Sequence, residues 1–114
     1  MKFYKGNNGL LLSLLNAESD LKEVRVGTVD ASLEKHVPVV EVEGNKVKVR
    51  IGSVEHPMQD VHYIEMIILE TKKGLQVKYL NPGEEPYAEF LLDNDEVVAA
   101  YEYCNLHGLW KYEV

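Results

Sequence analysis

Val37–Ile51 reads V-P-V-V-E-V-E-G-N-K-V-K-V-R-I, and its pattern decides the fold class. Val40 and Val42 before Gly44-Asn45, and Val47, Val49 and Ile51 after it, alternate with charged residues. A period of two marks a strand with one buried and one wet face. A Gly-Asn pair between two such runs is a two-residue hairpin.

Outward from this hairpin the same grammar continues. His62–Glu70 is apolar on both parities, which predicts a central strand covered on both faces. Lys72-Lys73-Gly74 turns into Leu75–Leu80, and Asn81-Pro82-Gly83 breaks the chain before Tyr87–Leu92. Asp93-Asn94-Asp95 turns into Glu96–Cys104, and Leu109–Glu113 is a last short strand. Strand signals recurring about every 8–12 residues, without a long helical period between them, define an all-β antiparallel sandwich. Upstream, Phe3-Tyr4-Lys5 and Leu10–Asn16 flank Gly6-Asn7-Asn8-Gly9 and suggest a small hairpin. A short helix over Leu10–Ala17 competes, because leucine favours helix. Residues 17–25 are charged and read as an exposed connection. No repeat or low-complexity tract forces a second domain.

At 114 residues, with 46% hydrophobic and 27% charged, the chain has the length and balance of one globular domain rather than a disordered segment. Twelve basic against nineteen acidic residues leave a formal charge of -7, which argues against nucleic acid as partner. Apolar runs such as Leu10–Leu12 and Met66–Leu69 are too short to span a bilayer. The apolar part at Leu10–Leu15 is broken by Ser13 and followed by Asn16, where a signal peptide would need a small-residue cleavage site. The single cysteine cannot form an intramolecular disulfide, so nothing depends on an oxidising compartment. A cytoplasmic location without a membrane partner is the expectation.

Tyr101–Trp110, Y-E-Y-C-N-L-H-G-L-W, holds that cysteine, Cys104, and His107 three residues later. A thiolate and an imidazole at this spacing can grip one ion, because the chain folds back between them. His36 precedes the first strand of the Val37–Ile51 hairpin, and His56 and His62 bracket a loop containing Pro57. Singly, each reads as a hydrogen-bonded surface histidine. If their strand ends lie at one end of the sandwich, all five side chains converge where loops gather. Five ligands exceed a closed four-ligand zinc site. Four neutral imidazoles and one thiolate suit mononuclear iron with a sixth position open, at a net charge of about +1 as iron(II), which favours an anion. A blue-copper site also uses Cys-x-x-His, but Met1, Met58 and Met66 all precede His107 and two histidines would be left unused.

Three motifs carry a resemblance to the superoxide reductases, the desulfoferrodoxin and neelaredoxin family of non-haem iron proteins. They are E-K-H-V-P at Glu34–Pro38, H-P-M-Q-D-V-H-Y-I at His56–Ile64, and E-Y-C-N-L-H-G-L-W at Glu102–Trp110. Asn81-Pro82-Gly83 and Ala88-Glu89-Phe90 are similar too, so the likeness runs from Val29 to Lys111. It implies a seven-stranded immunoglobulin-like antiparallel β-sandwich over residues 26–114, with a small N-terminal hairpin extension over residues 1–25. It implies one iron (Fe2+/Fe3+) per chain, held by His36, His56, His62 and His107 in a plane and by Cys104 on the axis. The implied reaction is one-electron reduction of superoxide to hydrogen peroxide, with iron re-reduced by an external donor such as rubredoxin. A homodimer or higher homo-oligomer is the implied assembly.

In that frame Lys35 is the positive group that steers superoxide inward and organises proton-delivering water. Glu34 resembles the family's mobile carboxylate, a sixth ligand in the oxidised state. Backbone N–H groups of Leu106 and His107 are expected to donate to the sulfur, and Pro57 to hold His56 extended. Pro38, Tyr63 and Trp110 read as packing and loop rigidity rather than chemistry. The departure is at the front: two-iron members carry four cysteines there, whereas F-Y-K-G-N-N-G has none. A second, thiolate-held iron is therefore not expected, and residues 1–25 become a metal-free remnant expected to serve dimer contacts. Two other readings stay open. One is a non-catalytic iron electron-transfer or metal-binding sandwich; the other binds a second protein, its histidines incidental.

Overall fold

The computed structural model describes the backbone of residues 2–6, 9–13, 22–23, 26–27 and 33–114, and, before Lys35, the side chain of Phe3 alone. Its elements are β1 (Lys2–Gly6), β2 (Gly9–Ser13), β3 (Lys22–Glu23), β4 (Val26–Gly27) and a single helical turn, α1 (Leu33–His36). The strands β5 (Pro38–Glu43), β6 (Lys46–Ile51), β7 (Ile64–Thr71), β8 (Gly74–Tyr79), β9 (Tyr87–Leu91), β10 (Val97–Cys104) and β11 (Gly108–Glu113) follow. These last seven form the expected immunoglobulin-like sandwich. One sheet runs β5-β6-β9 and the other β4-β11-β10-β7-β8.

The alternating valines pair as read, with Val40 opposite Val49 and Val42 opposite Val47. Gly44 takes φ 62°, and positive φ at the first central residue alone is the arrangement that places glycine first in a hairpin turn. The seven strands pair antiparallel, but β4 adds a short parallel edge to β11, with Val26 beside Leu109 and Gly27 beside Trp110.

The space between the sheets is filled by Val47, Val49, Ile51, Ile64, Ile67, Leu69, Ala88, Phe90, Ala100 and Cys104. Each large aliphatic side chain fully buried there contributes about 1.5–3 kcal/mol. Strand β7 is central, between β10 and β8, and is covered on both faces. Ile67 and Leu69 face the inter-sheet core, while Ile68 joins a second cluster with Phe3, Ala99, Tyr101, Tyr103 and Leu109. A register shift sets Tyr103 opposite Met66 but Cys104 opposite Ile64. The extra residue, Glu65, reverses the parity, so Ile64 faces the core alongside Ile67 and Leu69.

In the N-terminal hairpin β1 pairs with β2, so Leu10–Leu12 lie on a strand rather than on the competing helix. Part of the 17–25 connection is also paired, since Lys22–Glu23 runs antiparallel to β1 and gives that edge backbone partners. Phe3 is 1% exposed and sits 4.7 Å from the ring of Tyr101, so it caps the outer face of the five-stranded sheet. No helix among the described residues is long and apolar enough to cross a membrane.

Candidate metal centre

Three chain segments meet at one end of the sandwich: the α1 turn, the loop from Gly52 to Tyr63, and the turn between β10 and β11. His36 is the last residue of α1, directly before β5. The Gly52 N–H donates to the Val37 carbonyl at 3.2 Å, tying the His36 segment to the loop that carries His56. The far part of this loop closes on itself: Gln59 and His62 exchange backbone hydrogen bonds of 2.9 and 3.0 Å. Cys104 ends the core-facing row Ala100–Glu102–Cys104, and Gly108, at φ 81°, reverses the chain after His107.

The four imidazoles form a closed circuit. Ring centroids are 4.9 Å apart for His36–His56, 4.8 Å for His56–His62, 5.0 Å for His62–His107 and 4.7 Å for His107–His36. Neighbouring planes are inclined by 56° to 78°, so none of the four contacts in the circuit is a parallel stack. Cys104 Sγ lies 3.9 Å from His107 Nδ1. Candidate donor atoms of His36, His56, Cys104 and His107 all lie within 4.8 Å of one another. His62 is outside that group of four and closes the circuit through its ring contacts. Nitrogens on opposite sides of an ion at about 2.1 Å stand about 4.2 Å apart, so a cluster of this size fits one metal.

The protonation chemistry fits as well. His56 Nδ1–H donates to the Pro57 carbonyl at 2.7 Å, which leaves Nε2 as a bare lone pair. His56 Nε2 and His62 Nε2 are buried without a hydrogen-bond partner, a costly condition that a bound cation would relieve. Burial, with help from the neighbouring imidazoles, pushes His56 down to about 4, so it is neutral at pH 7. Burial also lowers His62, followed by the charges of His107 and Lys35. Lys35 is exposed, and its charge acts on His62, so it adds positive potential at the rim. Burial raises the Cys104 thiol, while backbone N–H groups of His107 and Leu106 bond to it and pull the other way, the donors expected from the sequence. Glu34 is placed by its backbone within α1, and its expected part as a carboxylate ligand lies outside the described side chains.

The sequence reading missed one residue at the site and understated another. Trp110, read as packing and loop rigidity, stacks on His36 at 4.7 Å and 11° and donates its Nε1–H to the His107 carbonyl at 3.1 Å. One buried side chain thus orients two of the histidines. Glu102 is fully buried, its Oε1 3.7 Å from His36 Nδ1, and burial raises its carboxyl well above the ordinary range.

A β-sandwich that gathers four histidines and a cysteine at one end, with three of the histidines and the cysteine close enough to share one ion, has the form of a metal-binding β-protein. The family model for desulfoferrodoxin matches residues 28–113. The chain therefore belongs to the desulfoferrodoxin family of iron-binding proteins. It is 52% identical over 91 residues to a desulfoferrodoxin homolog of Archaeoglobus fulgidus, an alignment covering 80% of this chain and 72% of that protein. The crystal structure of the superoxide reductase from Treponema pallidum superposes with a TM-score of 0.89 at 43% identity, covering 99% of this chain and 98% of that one. The superoxide reductase (1Fe-SOR) from Giardia intestinalis superposes at 0.62 with 36% identity, over 71% of this chain and 97% of that one. Such neighbours support an oxidoreductase.

Proposed function

We propose that the protein is a superoxide reductase with one iron per chain, held by His36, His56, His62, His107 and Cys104. The observation that carries this reading is the circuit of four abutting imidazoles with the Cys104 thiol 3.9 Å from one of them. When bound, iron in this donor set supplies the single electron that, with two protons, converts superoxide to hydrogen peroxide.

The residues of the chain divide the remaining work. His56 is held neutral, so its Nε2 is available at physiological pH. Deprotonated Cys104 carries the compensating negative charge, and the His107 and Leu106 N–H groups aimed at its sulfur oppose in part the burial that disfavours the thiolate. His107 and Lys35 are exposed, which leaves the centre reachable by a small anion and by an electron donor. Lys35 attracts superoxide and orders water at the rim, and Glu34 assists release of product; both roles rest on the E-K-H-V-P resemblance. A rubredoxin-like donor, a homo-oligomeric assembly and a cytoplasmic location belong to the same reading. So does a boundary near residue 25, the segment before it being a metal-free extension that contains no cysteine.

The test is stoichiometry. Reduced, iron-loaded protein mixed with superoxide should yield one hydrogen peroxide per superoxide consumed and no oxygen, its iron being oxidised once. Half an equivalent of peroxide with half an equivalent of oxygen would mean dismutation and overturn the assignment. No reaction would leave an electron carrier.

A further inference from the structure

His62 follows an exposed stretch of the 52–63 loop. Gln59, Asp60 and Val61 are exposed, Val61 at 74%, so little side-chain packing fixes the loop that presents it. The Gln59–His62 backbone pair sets the internal shape of the turn but not its place relative to Cys104. The β7–β10 ladder fixes Ile64 opposite Cys104, and the bonds that carry this tie back across His62 are made by Asn105, the residue between Cys104 and Leu106. Its Nδ2–H donates to the Val61 carbonyl at 3.0 Å, its Oδ1 accepts the Tyr63 N–H at 2.9 Å, and its own N–H donates to the Tyr63 carbonyl at 3.2 Å. The bonds grasp the residue on either side of His62 and cross more than 40 positions of sequence.

We infer that Asn105 is a positioning residue, which holds His62 in the imidazole circuit by tying both of its chain neighbours to the Cys104–His107 turn. The chemistry suits an amide. One side chain must donate to a carbonyl and accept from an N–H at once, and Asn and Gln carry both groups on one planar carbon, independently of pH. Asparagine is the shorter, and leaves less slack between the two segments. Because the bonds lie at the surface and compete with water, the clamp sets the rate at which His62 leaves rather than whether the domain folds. The inference rests on the reading of His62 as a metal ligand.

The experiment measures iron(II) release from the loaded protein to a competing chelator, for wild type, Asn105→Ala and Asn105→Asp, each also in a His62→Ala background. Asn105→Ala should release iron about 10–100-fold faster, the usual cost of losing a group that orients a ligand. Asn105→Asp keeps the acceptor for Tyr63 and loses the donor to Val61, and should fall between. In the His62→Ala background the Asn105 substitutions should change nothing further, and the metal-free variants should melt close to metal-free wild type. Release from Asn105→Ala within a factor of about two of wild type, or an acceleration of the same size without His62, would overturn the inference while leaving the metal centre standing. A wild-type chain that retains no iron would remove the metal-centre reading, and this inference with it.

Discussion

At one end of the sandwich the turns at Gly44-Asn45, Lys72-Lys73 and residues 93–96 reverse the strands; at the other, α1, the 52–63 loop and the 104–108 turn do so. The first end is satisfied. Asp95 Oδ1 accepts the N–H groups of Lys73 at 3.2 Å and Glu96 at 2.8 Å, and Leu92 N–H reaches the Asn45 carbonyl at 2.7 Å. Thr71 Oγ1 and Gly74 bond in both directions. Lys72 pairs with Glu96 at 2.8 Å. The second end is not. His56 Nε2, His62 Nε2 and both carboxyl oxygens of Glu102 are buried there without a hydrogen-bond partner. Reversing a strand needs none of this, as the first end demonstrates. Buried polar atoms left bare cost stability, so their gathering at one end marks where the chain has given up stability for binding.

The sharpest break of that contrast is His56→Ala. It should lower iron affinity by more than the roughly 10–100-fold expected for losing a mere orienting partner, read as iron retained after dialysis against chelator. Next come two exposed lysines of equal charge. Lys35→Ala should slow the bimolecular reaction with superoxide roughly tenfold at low ionic strength and flatten its salt dependence, while Lys72→Ala, at the far end, should leave both unchanged. Equal effects would mean that net charge alone does the steering. The smallest effect on the centre should come from Thr71→Val. Losing its hydrogen bonds to Gly74 should cost about 1–2 kcal/mol of stability by denaturant unfolding and leave iron content as in wild type.

The fold was legible because its signals are local. Alternation around Gly44-Asn45 and the two-sided apolarity of β7 need only neighbouring residues to be read. The α1 turn escaped because four residues carry no helical period. Glu102 was hidden by its context: between Tyr101 and Tyr103, an acid in an alternating strand reads as solvent-facing. In fact the tyrosines face the cluster capped by Phe3, and Glu102 is turned toward the inter-sheet side with Ala100 and Cys104. Cysteine and histidine stood out because they are scarce and metal-binding by type. Trp110 and Asn105 did not, since a ring that stacks and an amide that bridges look in sequence like any packed aromatic or turn residue. Their roles arise only when segments 42 to 74 positions apart are brought together.

The absorption spectrum of the oxidised, iron-loaded protein, beside that of Cys104→Ser prepared identically, bears most directly on the centre. A visible thiolate-to-iron band in the first and its loss in the second are the predicted result. Iron bound with no such band, or a band indifferent to the substitution, would place the sulfur outside the coordination sphere and contradict the account.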